Sequence, residues 1–225
     1  MVDGVLLDWE GVLADTGRAR RDSMLSALAA EGVRFDAAAY DESCLGLSVS
    51  EAAAVAVGAM ADSTLLELVT LRAQRDFATR IAQGVALQPG AADFVERVQL
   101  RTAVAIVTAA RRRETEFALR LSGLFDACAA IVTADETRDD APAPRQYELA
   151  LQHLSRRRPV RREHVVALLT TRAAIRAARA AGVRSIAVGA PAHVSLEADG
   201  SIGSLAGVTL DDLIALAGVS SERLA

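Results

Sequence analysis

Five short runs of aliphatic and β-branched residues, Val5 to Leu7, Ala103 to Val107, Ala129 to Val132, Val165 to Leu169 and Ser185 to Val188, are separated by stretches of helical periodicity. That alternation constrains the fold more than any other feature. A short run that is apolar at nearly every position reads as a strand covered on both faces. Strands of this kind spaced by helices give a parallel sheet with helices packed on either side. The helical candidates are Ala91 to Val98, Glu114 to Leu121, Gln146 to Leu154 and Ala173 to Ala181, the last stopped by Gly182 as a C-cap. The predicted class is α/β, a doubly wound parallel sheet.

The alternation stops between about Gly17 and Ala86, where Ser23 to Ala30, Ser50 to Met60 and Thr64 to Ala82 have helical periodicity and no strand pattern intervenes. This interval is predicted to be an all-helical insert, a cap over 17–86, with residues 1–16 and 87–225 forming the Rossmann-like core. An insert placed straight after the first strand would overhang the carboxyl ends of the strands, where doubly wound sheets bind ligands. Leu87-Gln88-Pro89-Gly90 marks the return to the core, and the Leu45-Gly46-Leu47-Ser48 loop is the candidate for reaching into the cleft.

Composition narrows the partners. The chain of 225 residues is 52% hydrophobic, enough to bury a sizeable core and incompatible with disorder. A formal charge of −4 and a pI near 5.5 argue against a nucleic-acid partner, which needs a concentrated positive face. A metabolite-sized ligand is the expectation. All 25 basic residues are arginine. Cys44 and Cys128 stand far apart, so they are read as core fillers in a reducing compartment. No charged-then-apolar leader and no uncharged run of the ~18 residues that a membrane span needs is present, so a cytoplasmic protein with no membrane partner is expected.

Chemistry concentrates at two strand ends. Asp8 falls where the first strand should stop, Glu10 follows two residues later, and Gly11 permits a tight loop. In phosphoryl transfer through a carboxylate, one acid attacks phosphorus while a second protonates the leaving oxygen and then activates water. The spacing suits that division of labour. Thr108 ends the second strand just before a helix start, where backbone N–H groups and the helix dipole attract phosphate; Thr108 also suits an ordinary N-cap. His153, His164 and His193 have no metal-ligand spacing.

Six ordered elements together give a resemblance. Gly4-Val-Leu-Leu-Asp8-Trp-Glu10-Gly-Val-Leu-Ala-Asp15-Thr16, the strand ending at Thr108, Leu87-Gln-Pro-Gly90, Gly123-Leu-Phe-Asp126, Ala141-Pro-Ala-Pro144 followed by Tyr147, and Ala177-Ala-Arg-Ala-Ala-Gly182 resemble the haloacid dehalogenase superfamily nearly end to end. Within it they are most similar to the phosphatase and phosphomutase branch with a helical cap. The resemblance implies an aspartate nucleophile at Asp8 and a general acid/base at Glu10. It implies a phosphate-binding hydroxyl at Thr108, a lysine before Pro-x-Pro, and one or two acids after the fourth strand that help hold magnesium against Asp8.

This sequence departs from that pattern. The acid/base is Glu10 rather than aspartate, the lysine position is Ala141, and the acid positions counted back from Gly182 are Leu169 and Thr170. Two like charges ~4 Å apart cost about 4 kcal/mol at an effective dielectric near 20, so a phosphate dianion meets Asp8 with its usual counter-charges missing. A conservative loss of ~6 kcal/mol of transition-state stabilisation is roughly four orders of magnitude in rate. Arg111 can reach a bound phosphate bidentately in place of the lysine, and Asp139 and Asp140 are the nearest acids for magnesium.

The leading expectation is a phosphatase-like protein, a pseudoenzyme, whose magnesium-dependent catalysis is strongly impaired or lost. It would bind a phosphorylated metabolite or a protein partner. The alternatives are an active phosphohydrolase with a rearranged site that uses Asp8, magnesium then being its cofactor, and a metal-independent dehalogenase-like hydrolase.

Overall fold

The computed structural model describes residues 2–44, 47, 49–58, 62–137, 142–156 and 159–219. The chain forms two compact units, residues 1–15 with 86–225, and 16–85.

The first unit is built on a six-stranded, all-parallel sheet of β1 (Gly4–Leu7), β2 (Ala103–Val107), β3 (Ala130–Val132), β4 (Val165–Leu169), β5 (Arg184–Val188) and β6 (Gly200–Ile202), in the order β3-β2-β1-β4-β5-β6. β1 and β4 are buried at every position, which is why their residues are apolar without alternation. One face of the sheet packs Leu6, Ala105, Val107, Val132, Val165, Ala167 and Leu169 against Tyr147, Leu151, Leu154, Ile175 and Ala178 of two helices. Gly4 belongs to this packing: a Cβ there would lie 2.8 Å from Leu154 Cδ1.

The sheet's ends are set by register. Leu7 lies opposite Ile106 of β2 on one side and Leu168 of β4 on the other. Asp8 therefore comes level with Val107 and Leu169, and Thr108 and Thr170 follow one residue further on, so all three leave the sheet at its carboxyl edge. β1 and β4 are also where the chain reverses direction across the sheet, the switch point at which doubly wound folds open a crevice.

The second unit is helical: α1 (Gly17–Ala30), α2 (Ala37–Ser43), α3 (Val49–Val57) and α4 (Ser63–Ala82). Met24, Leu28, Tyr40, Cys44, Val69 and Ala73 form its own core. Asp36 and Asp62 cap α2 and α4 by accepting from the Ala39 and Leu65 amides at 2.8 and 2.6 Å.

The remaining helices return to the first unit: α5 (Ala91–Gln99), α6 (Arg112–Leu121), α7 (Pro144–Ser155), α8 (Arg172–Ala180), α9 (Ala192–Ser195) and α10 (Leu210–Leu216). The α/β class and the five expected strands stand. The short α2, α9, α10 and β6 lie beyond those expectations, and α6 begins two residues earlier than the pattern suggests. Among the described residues no helix is long and apolar enough to cross a membrane.

Candidate active site

Asp8 leaves β1 half-buried, and its amide still donates to Leu168 O at 3.2 Å, so its backbone is fixed by the sheet itself. The chain then closes into a tight loop. Trp9, 2% exposed, anchors it; its carbonyl accepts from the Leu13 and Ala14 amides at 3.3 and 2.9 Å. Gly11 N–H donates to Ala14 O at 2.9 Å, and Gly11 holds φ at +81°, which a side chain would strain. The Glu10 amide donates to Asp8 Oδ1 at 3.3 Å, tying the two acids into one turn.

Tyr147 of α7 is fully buried. Burial first, and then the negative charge of Asp8, push its phenol well above its ordinary pKa, so it stays protonated beside the carboxylate. Its neighbour Gln146, also fully buried, donates to Thr108 O at 2.8 Å and accepts from the Ala143 amide at 3.1 Å. Gln146 thus joins the end of β2 to the start of α7.

Thr108 is 2% exposed, donates its amide to Val132 O at 3.0 Å, and accepts at Oγ1 from the Ala110 amide at 3.2 Å. It is not the cap of α6. The helix starts at Arg112, and the carboxylate of Asp135, from the loop after β3, takes that role by accepting from the Arg112 amide at 2.7 Å. The other Asp135 oxygen accepts from Arg111 NH1 at 2.8 Å. The Arg111 guanidinium and the two donated bonds hold Asp135 below the usual carboxylate range. Arg112 in turn pairs with Glu136 and donates to Ile131 O at 2.8 Å. The exposed Arg111 is therefore engaged by Asp135 here.

The end of β4 is different. Leu169 is fully buried among the hydrophobic residues of the α7 and α8 face. Thr170 lies against Gly11: a Cβ on that glycine would stand 3.0 Å from both Cγ2 and Oγ1 of Thr170. Its Oγ1 donates to the Glu10 carbonyl at 3.5 Å. Thr171 then caps α8, accepting from the Ala174 amide at 3.2 Å. Ala141, Asp139, Asp140 and all of the 45–48 loop except Leu47 lie outside the described residues.

A hard divalent cation needs several oxygen ligands at once. The Asp8 carboxylate and the Glu10 carbonyl are candidates, but position 169 offers only carbon and position 170 offers a hydroxyl pointed at one of those candidate oxygens. Among the described residues no group of three or more His, Cys, Asp or Glu is placed to hold a metal. Among the described residues the donor set does not fit magnesium.

Gln146, Asp135 and Glu136 lie outside the candidates expected from the sequence. Their local signals exist: Gln146 stands two residues after Pro144 at a helix start, and Thr133-Ala-Asp-Glu136 is a capping-box pattern.

The sequence profile of haloacid dehalogenase-like hydrolases matches residues 2–182. The chain belongs to that family. The haloacid dehalogenase-like chain is also 30% identical over 200 residues to protein CbbY of Cereibacter sphaeroides, spanning 83% of this chain and 84% of the relative. Among solved structures it is similar to CbbY from Rhodobacter sphaeroides in complex with xylulose-(1,5)-bisphosphate, at 26% identity and a TM-score of 0.73, covering 95% of this chain and 99% of the other. CbbY in complex with phosphate gives the same figures. β-Phosphoglucomutase from Clostridium difficile is 15% identical with a TM-score of 0.77, over 97% and 98% of the two chains, a likeness of fold alone.

Proposed function

We propose that this chain is a haloacid dehalogenase-like protein that binds a phosphorylated metabolite at the Asp8 edge of the sheet, and whose magnesium-dependent phosphohydrolase activity is strongly impaired or lost. The observation that carries the reading is the end of β4. There a core leucine, Leu169, and a hydroxyl donor, Thr170, occupy the positions where the family pattern calls for metal-binding acids.

The anion-holding parts remain. Thr108 ends β2, the strand beside β1, at the same carboxyl edge as Asp8, with the amides of the β2–α6 turn beyond it. Arg111 is engaged by Asp135, but an exposed ion pair is worth only ~0–1 kcal/mol, so a phosphate dianion can take the guanidinium over. Asp8 would face phosphorus as nucleophile and Glu10 would carry the proton, within the field of the Asp8 charge that also helps keep the Tyr147 phenol protonated. Ala141 supplies no charge to offset the approach of the dianion. The ligand class follows the CbbY relatives, which were captured with a sugar bisphosphate and with phosphate. The helical unit, inserted directly after the Asp8 loop, is assigned the cap role of selecting the ligand.

A second reading, residual hydrolysis through Asp8 and Glu10, has one observation in its favour: the two acids are still joined in a single turn by the Glu10 amide. Turnover of p-nitrophenyl phosphate and of a pentose bisphosphate, with magnesium or with a chelator, separates the two beside Asp8→Asn. We expect turnover at least about a thousandfold below that of an active relative, and no response to magnesium. Magnesium-dependent turnover that Asp8→Asn abolishes would establish the second reading. Calorimetric titration with the pentose bisphosphate tests binding itself, and absence of binding would turn the search to a protein partner.

A further inference from the structure

We propose that Thr170 is a positioning residue: its hydroxyl holds the Asp8–Ala14 loop from inside, at the place where the family pattern would set a cation. The inference rests on the reading that position 170 is the family's metal-acid position.

The loop's backbone groups show why such a hold is needed. The Trp9 carbonyl takes two amides of the loop, the Gly11 amide goes to Ala14 O, and the Glu10 amide goes to the Asp8 carboxylate. The Glu10 carbonyl is turned toward β4, and there it receives Thr170 Oγ1–H at 3.5 Å. The bond is part-buried, where a carbonyl is satisfied by a donor or by a cation. A threonine hydroxyl is a donor, whereas the aspartate implied by the family pattern has only acceptor oxygens when ionised and would need a cation between itself and the same carbonyl. Substituting one residue therefore changes the linker between β1 and β4 from an ion to a hydrogen bond.

Steric fit supports the same role. Gly11, at φ +81°, brings its Cα close enough that any Cβ would stand 3.0 Å from Thr170 Cγ2 and Oγ1, so the methyl and the hydroxyl together fill the space over the loop at the sheet's switch point. The Glu10 carbonyl has two lone pairs, so what the hydroxyl changes is the partner across from it: a neutral donor stands where a charged oxygen ligand would draw a divalent ion in. The loop of this chain is accordingly held to β4 by a hydrogen bond and a close contact, neither of which calls for a metal.

Hydrogen exchange of the Glu10 to Ala14 amides, in EDTA and without ligand, tests this directly. Thr170→Val keeps the shape and removes the donor; we expect these amides to exchange about fivefold faster, the share of one net hydrogen bond. Thr170→Ser keeps the donor and should stay within twofold of wild type. Thr170→Asp should exchange as fast as the valine variant in EDTA and regain protection in magnesium, which wild type should ignore. Valine exchanging like wild type, serine as fast as valine, or wild type gaining protection from magnesium would each overturn the proposal. If the valine variant does not fold, the serine and aspartate variants still decide it. Phosphate-ester turnover measured on the same samples keeps the two readings apart: an active wild type with this exchange pattern sinks the loss of catalysis and leaves the role of Thr170 standing.

Discussion

The carboxyl ends of β2 and β4 flank the same strand, and they end in opposite chemistry. β2 ends in Thr108, whose hydroxyl accepts an amide of the following turn, and leads to a helix start already organised around a carboxylate, that of Asp135. β4 ends in Leu169, sunk into the core, and Thr170, a donor turned onto the Glu10 carbonyl. On the β2 side the cationic and amide groups are there but already paired with a carboxylate of the chain; among the described residues the side chains at the end of β4 bring no charge at all. Under the proposed function, anion binding and activation draw on different strands, so one can be lost while the other stays.

The largest effect that sharpens this contrast belongs to Leu169. If it is now a core residue, Leu169→Ala should lower stability by ~2–5 kcal/mol in urea denaturation, through lost burial and the cavity left behind. An effect below ~1 kcal/mol would mean that the position is spare and the core argument fails. Gln146→Ala comes next. It leaves the fully buried Thr108 carbonyl and Ala143 amide without their partners, so we expect a loss of ~1–3 kcal/mol, and weaker phosphate binding because the Thr108 end loses its support.

Asp135→Asn is the smallest and breaks the β2 side alone. Removing the carboxylate from the start of α6 should cost about 1 kcal/mol or less at neutral pH. Its pH dependence has a definite sign. Asp135 is held below the usual carboxylate pKa of ~3.9, so its contribution is present above that value and disappears as the pH falls through its lowered folded-state pKa. Urea midpoints measured from pH 5 downward should therefore fall less steeply in Asp135→Asn than in wild type; parallel slopes would remove Asp135 from the account.

The sheet was legible because burial on both faces writes itself into the sequence: Val165-Val-Ala-Leu-Leu169 can scarcely be anything but an interior strand. β6 was not, since Gly200-Ser-Ile202 is three residues at the sheet's edge with no apolar run to announce it. α2 is likewise short and offers one buried side chain, Tyr40, too little for a periodic signal. At the site, Asp8 and Glu10 stood out because they lie two apart at a strand's end. The Asp135 contact spans 24 residues to Arg111, and the Thr170 contact spans 160 residues to Glu10; both are created only when strands come together. That is why the pairing of Arg111 with Asp135 was not legible, and why Thr108 read as a cap while the carboxylate at the helix start comes from another loop.

The central claim is most directly tested by a manganese titration of the wild-type chain, with free Mn²⁺ followed by electron paramagnetic resonance and Asp8→Asn as the control. The account predicts that wild type and Asp8→Asn deplete free Mn²⁺ equally little through the millimolar range. A single stoichiometric site in the wild type that vanishes in Asp8→Asn would contradict it.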